Sequence, residues 1–135
     1  MTAFSLIKVY ALTSLVFLAV DLLWISTVAS SLYQKHLGHL LGDKPVLLPA
    51  LLFYAVYVVG ILVFAVLPAL EADSPWRAVA LGAFLGFLAY ATFDLTSMAL
   101  FRDFSLLVAI TDMVWGAVLT GSVAAAGFWI GRWVG

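Results

Sequence analysis

Three aspartates stand inside stretches of the chain that are otherwise apolar: Asp21, Asp94 and Asp112. An aspartate near the middle of a bilayer costs roughly 2.5–3.5 kcal/mol on insertion scales, so such residues usually face a bundle interior or a wet cavity and mark function. Three carboxylates in a medium of low dielectric cannot all stay ionised, and at least one is expected to hold a proton near neutral pH. The group could bind a proton, a cation or a hydrogen-bonding head group.

The depths of the three aspartates in their apolar stretches are similar. At 1.5 Å per residue, Asp21 and Asp94 lie about 6 to 8 Å past the middle of the first and third stretches, and Asp112 lies about 11 Å before the middle of the fourth. Because the first and third stretches end on the side where the fourth begins, all three carboxylates belong to one leaflet. Arg102, which follows in the next connection, is the nearest candidate counter-ion.

Hydroxyl and indole side chains share this level. The pattern Asp-x-x-Trp occurs twice, and its spacing puts each aspartate and its tryptophan on one helix face. We expect a ligand- or proton-binding site made of these residues: Asp21, Trp24, Tyr54, Tyr90, Asp94, Thr96, Asp112 and Trp115. The alternative is structural, because membrane bundles also use buried polar side chains as hydrogen bonds between helices.

Four apolar stretches must carry these side chains, at about 4–29, 48–70, 76–101 and 106–133. Each has the roughly 20 helical residues that cross a hydrocarbon core of about 30 Å. Hydrophobic residues make up 66% of the chain and charged residues 10%, whereas soluble domains are about half apolar and a quarter charged. The sequence therefore predicts an all-α integral membrane four-helix bundle, a single domain over 1–135, with the lipid bilayer as its partner.

The connection between the first two stretches has its own helical pattern. Apolar and aromatic side chains recur there at Leu32, Tyr33, His36, Leu37, Leu40 and Leu41, and 42–45 would end the helix. We predict a short interfacial helix or an extension of the first span. His36, His39 and Asp43 could hold a metal, but two histidines at this spacing are more typical of surface residues, so no metal site is predicted.

Several other classes of function find no support in the composition. The absence of cysteine excludes thiolate metal sites and disulfides, and the absence of a basic patch argues against nucleic acid. No histidine lies in a span and no lysine lies mid-span, so neither haem nor a retinal Schiff base is expected, and no cofactor is predicted.

Small residues four apart indicate close helix packing within the chain, with a homodimer interface as the alternative; they are Gly82 and Gly86, Ala117 and Gly121, and Gly127 and Gly131.

The segment Tyr90–Ser97 resembles the signature of a bacterial family of predicted membrane proteins, domain of unknown function 2177 (DUF2177). Family members typically read Tyr-Ala-Thr-Tyr-Asp-Leu-Thr-Asn there, so this chain departs at Phe93 and Ser97, and Phe104 stands where tryptophan is common. The resemblance covers essentially the whole chain and includes Asp21 with Trp24, Phe53 with Tyr54, Pro68, and Asp112 with Trp115 and Gly116. It implies a four-helix bacterial membrane protein and supplies no established activity.

The three aspartates within apolar stretches suggest three functions, which we rank. The first is binding or transport of a small amphiphile or cation in an acidic intramembrane pocket, coupled to protonation of Asp94; transport by four spans would require a dimer. The second is an enzyme acting on a lipid or isoprenoid with carboxylates as acid and base, ranked lower because no nucleophile, metal set or cofactor motif is present. The third is a structural subunit of a membrane complex.

The resemblance implies a multi-pass protein of the bacterial inner (cytoplasmic) membrane, but the charges orient it poorly. Positive charges are balanced between the two sides, with Lys8, Arg77 and Arg132 on the side of the termini and Lys35, Lys44 and Arg102 on the other. The proximity of Lys8 to the first span favours cytoplasmic termini.

Overall fold

The computed structural model describes residues 1–42 and 46–135, and this part of the chain is helical and contains no strand. Four of its helices are long and apolar enough to cross a membrane: α1, Ala3–Leu40; α2, Leu47–Glu71; α3, Pro75–Leu100; and α4, Leu106–Val134. These four helices coincide with the four predicted apolar stretches, except that the first helix continues well past residue 29. The architecture is compatible with a membrane bundle of four spans.

The predicted interfacial helix is not confirmed as a separate element, because its residues continue α1. The α-helical part Ala3–Trp24 passes into a π-helical turn, Ile25–Ala29, then a second α-helical part, Ser30–Leu37, and a 3-10 turn, Gly38–Leu40. No glycine or proline lies between residues 25 and 37 to break the helix. The predicted stop at 42–45 falls mostly on residues 43–45, outside the described residues.

Three of the four helices begin at a hydroxyl side chain that accepts a hydrogen bond from a backbone amide three residues later. Thr2, Ser74 and Ser105 cap α1, α3 and α4 in this way, with N···O distances of 3.1, 3.2 and 3.2 Å. Each cap satisfies one of the amides that the first turn leaves without a partner. The two short turns before α3 and α4 contain Asp73 and Asp103 at φ of 50° and 60°, a conformation that aspartate tolerates better than most side chains.

A second π-helical turn, Leu62–Val66, lies in the middle of α2. Pro68 has no backbone N–H to donate to the carbonyl of Phe64 four residues earlier, and its ring crowds that carbonyl. The widened turn accommodates both effects without ending the helix, since backbone groups in lipid must find partners within the protein.

Helices α3 and α4 approach each other through glycine. A methyl group built on Gly82 would lie 2.7 Å from the carbonyl oxygen of Thr120, and one on Gly86 would overlap the backbone of Gly116 and lie 2.6 Å from the hydroxyl of Thr120. These contacts leave no room for a side chain at either position. The predicted close packing at Gly82 and Gly86 is therefore within the chain.

The other glycine pair also packs inside the bundle. A methyl group on Gly127 would lie 2.8 Å from Val66, and one on Gly131 would lie 2.6 Å from Leu70, both on α2. The core between the helices is filled by large side chains with no exposed surface, among them Phe17, Ile61, Leu119 and Phe128. This packing fixes α1, α2 and α4 around the region that contains the aspartates.

Candidate functional site

A cavity of about 230 Å³ opens among the four helices at the level of the aspartates. We call it the acid cavity. Its polar and indole side chains are Asp21, Trp24, Tyr33, Tyr54, Tyr90, Asp112 and Trp115. The structure thus brings together six of the eight residues that the sequence predicts for a site, and it adds Tyr33.

Asp21 is the best-bonded carboxylate of the acid cavity. The hydroxyl of Tyr54 donates to its Oδ2 at 2.6 Å, and the indole N–H of Trp115 donates to its Oδ1 at 3.5 Å. Because Tyr54 belongs to α2 and Trp115 to α4, this one side chain links three helices. Asp21 is 7% exposed, so its remaining accessible surface is toward the cavity that it lines.

Asp112 accepts a hydrogen bond at Oδ1 from the hydroxyl of Tyr33, which lies in the extension of α1. The sequence showed Tyr33 only as part of an apolar stripe and carried no signal that it would reach Asp112. The π-helical turn Ile25–Ala29 lies between Asp21 and Tyr33, and both of its end residues line the acid cavity. Such turns change the helix register locally and recur at functional sites.

Trp24 and Trp115 form one wall of the acid cavity. Their rings are stacked, with 4.3 Å between centroids and 8° between planes. The indole N–H of Trp24 is buried and has no hydrogen-bond partner among the described residues. The two Asp-x-x-Trp patterns therefore meet at their tryptophans, which the spacing within each helix could not show.

Asp94 occupies a different position from the other two aspartates. It has no exposed surface and does not line the acid cavity, and its carboxyl group lies near that of Asp112. Neither of its oxygens has a hydrogen-bond donor among the described residues. Asp94 is thus buried near Asp112 but outside the lining of the acid cavity.

The remaining predicted residues, Tyr90 and Thr96, lie in different surroundings. Tyr90 lines the acid cavity with its ring against Gly116, where a methyl group would lie 2.8 Å from the Tyr90 Cβ. Thr96 is exposed and contributes to none of the cavities described here, because a step of two residues turns a helix by about 200° away from Asp94. Ser97, three residues after Asp94, is buried on the side of Asp94 instead.

A second cavity of about 280 Å³ adjoins the acid cavity. The two share Phe53, Tyr90 and Asp112, and the second is completed by Ala89 and Phe93 of α3. Its wall is apolar apart from Asp112 and the hydroxyl of Tyr90. We call it the side cavity.

Comparison with known proteins places the chain in a family. The model of a family described as predicted membrane protein (DUF2177) matches residues 6–129. The chain belongs to the DUF2177 family. No curated protein and no solved structure matches it. Every residue that lines the two cavities of this DUF2177 protein lies within the matched range, so the cavities belong to the family's portion of the chain.

The carboxylates of this DUF2177 protein have no basic side chain beside them in the described part of the chain. Arg102, the counter-ion that the sequence suggested, is exposed, and no lysine or arginine lines either cavity. Arg132 forms an ion pair at 3.1 Å with Asp73, between the end of α4 and the turn before α3. The acid cavity is therefore a region of uncompensated negative potential if its aspartates are ionised.

Among residues 1–42 and 46–135 of this DUF2177 protein, no group of three histidine, aspartate or glutamate side chains has the arrangement of a metal site. Asp43, which the sequence grouped with His36 and His39, lies outside the described residues. The chemistry that the acid cavity offers is that of carboxylates beside aromatic rings.

Proposed function

We propose that the acid cavity binds a small organic cation. The observation that carries this proposal is the presence of Asp21 and Asp112 in one cavity with the stacked rings of Trp24 and Trp115, without a basic residue in the described lining. A positively charged ligand, which we call the guest, would supply the counter-charge that the carboxylates lack.

The aromatic wall favours an organic ammonium over a bare ion. An ammonium group over the face of an indole or phenol gains about 0.5 to 2 kcal/mol from the ring quadrupole, most when desolvated. Asp21 and Asp112 each retain acceptor capacity after their bonds to tyrosine, since a carboxylate can accept about four hydrogen bonds. Both kinds of contact are therefore available to a single guest.

The size of the cavity restricts that guest. Sites for drug-sized ligands usually span about 300 to 1,000 Å³, and the acid cavity is smaller at about 230 Å³. A head group of a few heavy atoms fits this space, such as a primary amine or a trimethylammonium group.

Asp112, which lines the cavity, and Asp94, which is buried near it, would couple binding to a proton. Asp94 has no donor for its oxygens among the described residues, and it interacts with Asp112. A proton held by this pair would offset part of its charge when the cavity is empty. A cation beside Asp112 would take over that role, so binding would release the proton.

The hydrogen bonds of Asp21 and Asp112 also support the alternative that these residues are purely structural. The hydrogen bonds from Tyr54 and Trp115 to Asp21, and from Tyr33 to Asp112, join α1 to α2 and α4. Side chains that only hold helices together would make the same bonds. An experiment must therefore separate loss of charge from loss of the hydrogen-bond acceptor.

Substitution by asparagine removes the charge and keeps one acceptor oxygen. Asp112→Asn still accepts the hydrogen bond from Tyr33, whereas Asp21→Asn still accepts the short bond from Tyr54 but loses the longer one from Trp115. We expect each variant, purified in lipid nanodiscs, to bind radiolabelled tetramethylammonium at least about tenfold more weakly, equivalent to about 1.4 kcal/mol. Asp103→Asn, at an exposed turn residue, is the matched control and should bind as the parent does. If both cavity variants bind tetramethylammonium as the parent protein does, the aspartates have only a structural role.

The bilayer that we propose is the bacterial inner membrane, with both termini in the cytoplasm. The support for this orientation is the position of Lys8 at the start of the first span, since basic residues at the end of that span often set orientation. Labelling of a terminal tag in sealed vesicles of known sidedness would test this orientation.

A further inference from the structure

Helices α2 and α3 are packed together at one end and apart at the other. The C-terminal half of α2, Leu62–Glu71, packs against α3 next to the turn that joins them. The N-terminal half, Leu47–Ile61, packs against α1 instead. A gap therefore widens between α2 and α3 toward the level of the acid cavity.

The side cavity occupies this gap. Phe53 of α2 and Phe93 of α3 lie at its outer edge and are 45% and 59% exposed, while Tyr90 and Asp112 lie at its inner edge. Because the side cavity shares Phe53, Tyr90 and Asp112 with the acid cavity, the two cavities adjoin, and together they reach from the carboxylates to the outer surface of the helices. In a membrane that surface meets lipid chains.

Another apolar cavity, of about 320 Å³, lies farther along α3 and shares Phe93 with the side cavity. Its walls come from the end of α1, through Leu37 and Leu40, and from the turn between α3 and α4, through Phe101 and Phe104. The lining of the three cavities thus changes from the carboxylates of Asp21 and Asp112 to mostly phenyl and leucine side chains.

We propose that the guest of the acid cavity is a cationic amphiphile that enters from the bilayer between α2 and α3. Its ammonium head would lie against Asp21 and Asp112, and its single hydrocarbon chain would pass between Phe53 and Phe93. This inference rests on the proposed cation binding and adds the class of ligand and its route.

Charge and depth both favour this occupant over other lipids. The carboxylates of the acid cavity repel an anionic head group, and the apolar outer walls of the gap give a freely soluble cation no polar contact before it reaches Tyr90 and Asp112 at the inner edge. Asp112 lies six residues into α4, about 9 Å from the start of the helix. With the start of α4 at the surface of the bilayer, that is about the depth to which amphiphilic groups at the boundary of head groups and acyl chains are buried.

The test compares two probes in nanodiscs: tetramethylammonium, which has no chain, and dodecyltrimethylammonium, with its concentration expressed as a mole fraction in the membrane. Ala89→Phe places a ring in the side cavity, and Ala80→Phe places the same ring on the exposed surface of the same helix as a control. We expect Ala89→Phe to weaken dodecyltrimethylammonium binding at least about tenfold and tetramethylammonium binding by less than about twofold. Ala80→Phe should leave both unchanged.

The outcomes distinguish the two proposals. If tetramethylammonium binds the parent protein and Ala89→Phe weakens both probes equally, or neither, the route between α2 and α3 is overturned while cation binding stands. If neither probe binds the parent protein, the proposed function itself fails. Dodecanol in place of the ammonium probe should not bind, and its binding would show a purely apolar groove.

A second measurement keeps the inference testable if Ala89→Phe does not fold. An alkylammonium with a photoreactive diazirine in the middle of its chain should label Phe53, Ala89 or Phe93 of the parent protein, as read by mass spectrometry of peptides. Excess dodecyltrimethylammonium should suppress this labelling. Labelling spread over the lipid-facing surface without competition would overturn the route.

Discussion

Trp24 of α1 and Trp115 of α4 stack with 4.3 Å between ring centroids and 8° between ring planes. Each follows an aspartate of the acid cavity by three residues in its own helix. The stack therefore fixes the separation of α1 and α4 at the point where Asp21 and Asp112 face the cavity. Stacked aromatic side chains contribute about 0.5 to 1.5 kcal/mol beyond the area they bury.

This stack should have a spectroscopic signature. Two parallel indoles at contact distance couple their excited states, so we expect an exciton couplet near the main indole absorption band in circular dichroism. The couplet should vanish in Trp24→Phe and persist in Trp129→Phe, which removes an exposed indole elsewhere in α4. A couplet that survives in Trp24→Phe would contradict the stacked geometry.

The glycine contact between α3 and α4 should be intolerant of a methyl group. Gly86→Ala would place Cβ against the backbone of Gly116, which cannot move aside as a flexible side chain can, and we expect a loss of about 3 kcal/mol in the free energy of unfolding. Gly60→Ala is the control, because nothing lies within 4 Å of its added methyl group. Its stability should stay the same or rise by up to about 1 kcal/mol. Reversible unfolding in mixed micelles measures both, and equal effects would refute the close contact.

The hydrogen bond from Tyr54 to Asp21 should contribute to stability. Tyr54→Phe removes the donor and leaves one carboxylate oxygen with less compensation, so we expect a loss of about 1 to 2 kcal/mol in the same unfolding measurement. Tyr10→Phe removes a hydroxyl that donates to the carbonyl of Ala55 at 3.0 Å on a more exposed part of the bundle. It should cost less, and a larger loss at Tyr10 than at Tyr54 would argue against the importance of the Asp21 bond.

Asp94 should tolerate replacement by asparagine. A buried carboxylate without a donor is costly when ionised, whereas the amide is neutral, has the same shape and can donate to Asp112. We expect Asp94→Asn to change the free energy of unfolding by less than about 1 kcal/mol and to abolish proton release when tetramethylammonium binds. Proton release can be followed with a pH indicator in weak buffer. A loss of several kcal/mol would show that the Asp94 carboxylate is held by a partner that the described residues do not supply.

Helix positions and residue depths followed from the sequence because both depend on one-dimensional quantities. The length of an apolar run sets whether a helix spans a bilayer, and the rise of 1.5 Å per residue sets depth. Asp21 and Asp112 could therefore be assigned to one leaflet before any packing was known. The role of Gly82 and Gly86 was also predictable, since small residues four apart permit close approach.

The direction of each side chain around its helix was not predictable in the same way. A helix surrounded by lipid and by other apolar helices is apolar on every face, so no stripe marks the side that points inward. Thr96 illustrates this, because its depth matches Asp94 while its face is exposed. Tyr33 illustrates the reverse, since an apolar stripe concealed its bond to Asp112.

The sequence by itself determined that this chain has four apolar helices long enough to cross a membrane, and it predicted three carboxyl groups at similar heights along them. Tertiary structure alone decided that Asp21 and Asp112 share a cavity, that Asp94 lies outside its lining, and that α2 diverges from α3 beside it. The physical reason is that hydrophobicity fixes how far a residue lies along the membrane normal, whereas rotation and tilt are fixed by contacts between helices. Those contacts depend on residue pairs such as Tyr54 with Asp21, which lie on different helices and have no common pattern in the sequence.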